Sequence, residues 1–272
     1  MPNLLVRPHV PDAAGCVIDI TPKSAGWQRV GFRLHQLSAG QTASGGDTGR
    51  EACLLVLKGT ADISVDSHRF ERVGGRSSVF DDAAPGAVYA PAGMQFKVTA
   101  RDAVELAVCS APGEPGRSPR AIGPSDMPKV MRGTGTNTRH VRNVLPEERR
   151  ADSLILVEVI TPGGHWSSYP PHKHDTSTPG GETALEETYY HRMNPSQGFA
   201  FQRVYTDARD LDETICVHDG DVVLVPRGYH PVGAAHGYDL YYLNVMAGPS
   251  RAWVIHNDPE HEWMLRKPQR EA

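Results

Sequence analysis

Three histidines and one glutamate in two short segments are the residues of this chain best suited to chemistry. The first segment reads Pro170-Pro171-His172-Lys173-His174-Asp175 and leads, past Glu182, to Glu186-Glu187. The second reads Val225-Pro226-Arg227-Gly228-Tyr229-His230. His172 and His174 are two apart. On an extended strand, residues i and i+2 share a face, so both imidazoles can enter one cavity. Later strands can bring a glutamate and His230 to the same place. Three neutral imidazoles and a carboxylate suit a divalent transition metal, with Zn, Mn, Fe and Ni all admissible, and leave positions open for water or substrate. Spacing alone does not choose between Glu186 and Glu187. If Glu187 points inward, period two sends Tyr189 and His191 inward with it and turns Glu186, Thr188 and Tyr190 outward. The residues from Thr176 to Glu182 form a loop near the mouth of the site, either a lid or a plain solvent loop.

The elements that must position these groups are strands. Apolar and polar alternation, punctuated by Gly and Pro, marks strands at Glu51 to Lys58, Thr60 to Asp66, Ser78 to Phe80, Ala87 to Ala90, Gln95 to Thr99 and Val104 to Ser110. The pattern resumes at Val141 to Leu145, Leu154 to Thr161, Glu187 to Arg192, Ala200 to Tyr205, Thr214 to His218, Asp221 to Val225 and Tyr238 to Met246. A parallel α/β fold needs helices of ten or more residues between strands, and few segments qualify. Asp258 to Leu265 reads as a short terminal helix. The expected fold is all-β: two tandem antiparallel β-barrels or jelly rolls with few short helices, the cupin architecture. Residues 1–110 form a first barrel without metal ligands. Residues 111–137, with five prolines and five glycines, read as a linker, and 138–272 form a second barrel with the metal site. The halves echo one another in Pro91-Ala92-Gly93 and Pro226-Arg227-Gly228. Gln95 follows the first and His230 the second, as expected of a duplication in which one copy kept its ligands.

Composition narrows the function. A hydrophobic fraction of 39% beside 22% charged residues predicts a globular chain. A formal charge of −4 without a basic patch argues against nucleic acid and anionic membranes as partners. No apolar run is long enough to span a bilayer, and no signal peptide opens the chain. Cys16, Cys53, Cys109 and Cys216 are widely separated and form no Cys-x-x-Cys pair. They read as buried free thiols of a reducing cytoplasm. His165, His218, His236, His256 and His261 lack a partner pattern and read as structural. Tyr241-Tyr242 and the Phe199/Phe201 pair read as core.

The same segments resemble a known family. The run from Thr161 to Asp175, Leu185-Glu186-Glu187-Thr188-Tyr189-Tyr190, the stretch from Gly198 to Thr206, Gly228-Tyr229-His230-Pro231, the stretch from Gly237 to Pro249 and Asp258 to Trp263 are similar to 5-deoxy-glucuronate isomerases, bicupins of bacterial myo-inositol catabolism. In the first half, Gly49 to Cys53, Gly74 to Phe80 and Ser110 to Pro112 fit too. A more distant resemblance is to 5-keto-4-deoxyuronate isomerases of pectin breakdown. Carried over residue by residue, their metal ligands fall on His172, His174, Glu187 and His230, which favours Glu187 over Glu186. The resemblance implies an aldose–ketose isomerase converting 5-deoxy-glucuronate to 2-deoxy-5-keto-gluconate. A divalent metal would act there as Lewis acid, and a general base would carry a proton between adjacent carbons. His191, Tyr189 and Glu187 are the candidate bases. The sugar acid's carboxylate calls for a cation, with Arg203, Lys173 and Arg139 as candidates in that order. A symmetric homo-oligomer is expected. Two other readings remain open: a metal-dependent cupin dioxygenase and a non-catalytic sugar-binding bicupin.

Overall fold

The computed structural model describes residues 3–265. Nearly all regular structure is antiparallel strand, arranged as two jelly-roll-like halves whose sheets do not close into barrels. The first half pairs a six-stranded sheet with a four-stranded one, and the second pairs a seven-stranded sheet with a four-stranded one. In the first large sheet the order is Arg120–Ile122, Gly86–Ala90, Arg50–Lys58, Val104–Pro112, Gly31–Leu37, Cys16–Ile20. In the second it is Leu5–Val6, Val222–Val225, Glu186–Asn194, Asp239–Ala247, Ile155–Thr161, Arg139–Leu145, Lys129–Arg132. Strand for strand, the central orders correspond, as a duplicated unit requires. Gly93 and Gly228, each after the strand second from its sheet's edge, both hold φ near 90° (85° and 89°). At Gly228 a Cβ would meet the Tyr205 carbonyl oxygen at 2.4 Å, so this turn admits only glycine.

Both large sheets are buried on two faces. One face of each lines its own half. The other packs against its counterpart, where Phe32, Leu34 and Leu55 of the first sheet join Leu156, Tyr190 and Leu243 of the second in one apolar core. Doubly buried strands read as near-continuous apolar runs, which is the pattern of Arg50–Lys58 and Asp239–Ala247.

A reciprocal pair of carboxylates joins the halves. Glu51 accepts hydrogen bonds from the backbone N–H groups of Asp152, Ser153 and Leu154 at 2.6–2.7 Å, and from the Tyr89 hydroxyl. Glu186 accepts from the backbone N–H groups of Gln28, Arg29 and Val30 at 2.7–2.9 Å. Each glutamate lies on a matching strand and catches the segment entering the other half. The swapped edge strand Leu5–Val6, paired with Val222 and Val223, crosses between halves as well.

Some expectations are corrected. Ser78 to Phe80 is not a strand: the backbone N–H groups of Ser77 and Ser78 donate to the Asp81 carboxylate, a local turn that outcompetes sheet pairing. Asp258 to Leu265 holds only a 3-10 turn at Glu262–Leu265. Phe199 and Phe201 are exposed, because alternation on Phe199–Tyr205 turns Ala200 and Gln202 inward instead. Cys216 is exposed too, opposite Phe201, while the other three thiols are buried and free. Residues 111–137 carry two short strands, Arg120–Ile122 against the first half and Lys129–Arg132 against the second.

Glu51 is fully buried, so Glu51→Ala leaves the buried N–H of Leu154 and the half-buried ones of Asp152 and Ser153 without their acceptor. It should lower unfolding free energy in urea by about 3 kcal/mol. A change under about 0.5 kcal/mol would mean the glutamate does not hold the halves together.

Candidate metal and substrate site

Strand Glu186–Asn194 sets the geometry. Glu187, Tyr189 and His191 point into the second half, while Glu186 and Tyr190 point to the first. His174 Nε2 lies 3.0 Å from Glu187 Oε2, and His230 Nε2 lies 3.2 Å from the same oxygen. The His172 and His174 rings each stand 4.9 Å, centroid to centroid, from the His230 ring. One nitrogen from each of the three imidazoles falls within 4.8 Å of the others.

The surrounding backbone orients these rings. His230 Nδ1 meets the Gly228 carbonyl at 2.9 Å and His174 Nδ1 meets the Leu185 carbonyl at 3.2 Å. A carbonyl accepts only, so each Nδ1 carries a proton; His230 Nε2 then presents a lone pair to the cluster, while His174 Nε2 hydrogen-bonds the Glu187 carboxylate until a cation takes that place. Asp175 Oδ2 accepts from Gly228 N–H, tying the histidine pair to the turn that carries His230. Glu182 accepts from the N–H groups of Asp175 and Thr176. The 176–183 segment is a tight turn, closed by a Thr178–Glu182 bridge, and none of its residues lines the cavity.

Electrostatics keep two of the three imidazoles neutral and ready for a cation. Burial pushes the His172 and His230 imidazoles down to about 3, so both stay neutral. Burial also pushes His174 down, but the bond to Glu187 and that residue's charge outweigh it and raise it above its ordinary value. His230 Nε2 is buried without a hydrogen-bond donor. Convergent lone pairs in a dry site are costly unless something positive lies among them. The three nitrogens and one oxygen fit a divalent transition metal on this ground.

Of the four clustered residues, His172 opens onto a cavity of about 640 Å³ inside the second half. Alternation brings Arg139, Val141 and Asn143 from one strand, and Tyr242 and Asn244 from another, to its wall beside Tyr189. The Tyr189 hydroxyl is held 2.8 Å from Ser168 Oγ, and Tyr242 bonds Ser167. Burial raises the Tyr189 phenol well above its usual range.

The other predicted residues divide. Arg139 lies on the cavity. Arg203 shares outward parity with Phe199 and Phe201, forms a two-point pair with Asp212 at 2.7 Å, and stacks on Tyr205 away from the cavity. Lys173 Nζ bonds Asp207 at 2.7 Å and does not line the cavity. His191 is buried behind the wall, with Nε2 2.9 Å from Gln202 Oε1 and its ring stacked on Tyr189 at 5.9 Å. Arg132, Asn143, Asn244, Ser168 and Trp253 were not anticipated. Period-two counting from Arg139 reaches Asn143, but only the sheet order reveals that Asn244 sits in the same row.

Fold and site together define a bicupin in which the second half carries a buried cluster of three histidines and one glutamate. The chain belongs to the KduI/IolB family, whose sequence profile matches residues 4–264. It is 52% identical over 265 residues to a protein of Geobacillus kaustophilus (strain HTA426) named 5-deoxy-glucuronate isomerase, covering 97% of this chain and 96% of that one. It is 43% identical to a protein of the same name from Listeria monocytogenes serovar 1/2a, over 98% of this chain and the whole of that one. Among solved structures, an IolB-like protein from Salmonella typhimurium LT2 superposes with a TM-score of 0.94 at 48% identity, covering 97% of this chain and 100% of that one. Lactobacillus farciminis oxalate decarboxylase shares the fold at a TM-score of 0.70 and 14% identity, over 98% and 91% of the two chains.

Burial holds His191 down at about 4 from an ordinary 6.5, with the Gln202 bond opposing only in part. Below pH 6.5 the unfolded chain binds a proton that the folded chain refuses until about pH 4. This contribution is therefore present above pH 6.5 and is lost as the pH falls through 4. His191→Gln should flatten the acid side of a urea-stability profile between pH 6.5 and 4 by up to about 3 kcal/mol. An unchanged slope would assign the acid sensitivity to other groups.

Proposed function

We propose that this protein is an aldose–ketose isomerase that converts 5-deoxy-glucuronate to 2-deoxy-5-keto-gluconate in inositol catabolism. The observation that carries the reading is the end-to-end likeness to proteins named 5-deoxy-glucuronate isomerase. The cavity, with a cluster of metal-ligand type at one wall and a cation at another, is what an open-chain sugar acid needs.

His172, His174, His230 and Glu187 would hold a divalent ion (Zn, Mn, Fe or Ni), which would supply Lewis acidity to a sugar carbonyl and make the neighbouring carbon-bound proton easier to remove. The residues do the rest. Tyr189 is the candidate proton carrier on the cavity wall, and its raised pKa keeps the phenol protonated. It acts as an acid, giving a hydrogen bond or proton to an oxygen that gains charge. Glu187, a ligand that does not line the cavity, would take the abstracting role only by loosening from the ion. His191, separated from the cavity by Tyr189, positions that ring by stacking on it. The apolar floor of Val141, Ile155, Val157 and Val159 keeps water from competing for the transferred proton. The reaction shifts hydrogen between adjacent carbons, and no redox cofactor enters its balance.

A coupled assay with 5-deoxy-glucuronate tests the reading. Chelation should abolish turnover, about one equivalent of divalent metal per chain should restore it, and His230→Ala should not be rescued. Undiminished turnover after metal removal would end the metal's part; no turnover by reconstituted protein would end the substrate assignment. Tyr189→Phe keeps the stacking surface and loses the hydroxyl. Its kcat should fall about 100-fold with KM little changed, and a wild-type kcat would remove Tyr189 from proton transfer.

A further inference from the structure

The strands Lys129–Arg132 and Arg139–Leu145 form a hairpin at the edge of the seven-stranded sheet, and their register sets Arg132 directly opposite Arg139. Opposed residues on neighbouring antiparallel strands lie side by side on one face, and like charges there repel. Both arginines line the 640 Å³ cavity. Among the described residues, neither forms an ion pair with a carboxylate, although Glu147 and Glu148 also border the cavity. Arg139 Nη1 has only the Asn137 carbonyl, at 3.1 Å, and the Arg132 guanidinium lies 6.0 Å from the centre of the Trp253 ring. Arg132 is exposed at the cavity rim, yet partial desolvation and the nearby charge of Arg139 hold its guanidinium below its ordinary pKa.

The hairpin is shaped to permit this approach. Gly133 has φ 78°, and a Cβ there would meet the Asn137 carbonyl oxygen at 2.1 Å and Arg139 Nη1 at 2.7 Å. The turn therefore requires glycine, and the space beside it is taken by the Arg139 guanidinium. Deeper along the same wall, Asn143 and Asn244 both pair with Val157, forming one cross-strand row. Asn143 Oδ1 is buried without a hydrogen-bond partner, and Asn244 Nδ2, buried beside the Tyr189 hydroxyl, makes no hydrogen bond of normal geometry. One is an acceptor and the other a donor, the complement of a hydroxyl group.

Resting on the isomerase reading, we infer that Arg132 and Arg139 form a two-arginine clamp for the substrate's carboxylate, with Asn143 and Asn244 reading hydroxyl groups between the clamp and His172. A carboxylate between the guanidinium groups turns a repulsive pair into two charge-assisted, two-point contacts. Arg139 and His172 line the same cavity, so one short sugar acid can reach both ends of the site. The clamp makes the enzyme selective for uronates over neutral sugars. It also gives the edge hairpin, within the stretch read from sequence as a linker, a part in substrate binding.

The test uses metal-loaded full-length protein, with D-glucuronate and neutral D-glucose as binding probes in calorimetry and 5-deoxy-glucuronate in the coupled assay. Wild type should bind D-glucuronate at least about tenfold more tightly than D-glucose. Arg132→Met and Arg139→Met should each weaken glucuronate binding and raise KM by about 10- to 100-fold, leaving kcat within about threefold. Arg132→Lys, which keeps the charge and guards against a folding artefact, should recover part of the loss. Wild-type KM and glucuronate affinity in both Met variants, or equal weakening for D-glucose, would overturn the clamp. If wild type turns over 5-deoxy-glucuronate while the Met variants bind glucuronate normally, the clamp falls and the isomerase stands. If wild type shows no turnover yet glucuronate binding needs both arginines, the activity falls and the clamp stands.

Discussion

Two adjacent glutamates on one doubly buried strand govern this molecule. A strand has no choice about where neighbouring side chains go: successive residues leave on opposite faces. Glu187 must therefore enter the second half if Glu186 is to face the first, and the backbone N–H groups of residues 28–30 hold Glu186 there. A slip of one residue would bury a carboxylate against the apolar core between the halves and remove the oxygen that His174 and His230 approach. The docking of the two halves and the register of the chemical cluster are thus one constraint.

The cluster calls for positive charge at its centre. Imidazole lone pairs and a carboxylate converge in a place water barely reaches, and three of the four groups are almost fully buried. What sustains the arrangement is rigid support. Carbonyls of Gly228 and Leu185 fix two imidazole tautomers, and Asp175 links the loop bearing one histidine pair to the turn bearing the third ring. The first half, matched strand for strand, has Ala52 where the second has Glu187 and Gln95 where it has His230. It keeps the scaffold and has lost the donors, and its Glu51 now serves docking alone.

Much of this was legible from residue order. Strand alternation around Glu187, the His172/His174 spacing and the repeated Pro-x-Gly turn all depend on local chain geometry, which period-two counting captures. What escaped depends on which strands become neighbours. Arg203 ranked ahead of Lys173 and Arg139 as partner for an anion, but its parity with Phe199 and Phe201 sends it outward, where Asp212 neutralises it. Arg132 looked like part of a connection because Gly and Pro dominate residues 111–137. Its pairing with Arg139 exists only through long-range sheet order. Asn244 sits within an apolar run, and nothing local distinguishes it from a tolerated core amide until Asn143 appears in the same row.

The exchanged edge strand bears on how the chain is made. Leu5 and Val6 find their partners at Val223 and Val222, more than two hundred residues later. As the polypeptide leaves the ribosome, its first segment has no sheet to join until almost the entire protein has been synthesised. The first half can assemble its own sandwich in the meantime, since Arg120–Ile122 covers the corresponding edge without help from downstream. The leading segment then closes the second half in one of the last steps, sealing an edge that would otherwise invite pairing with a neighbouring nascent chain.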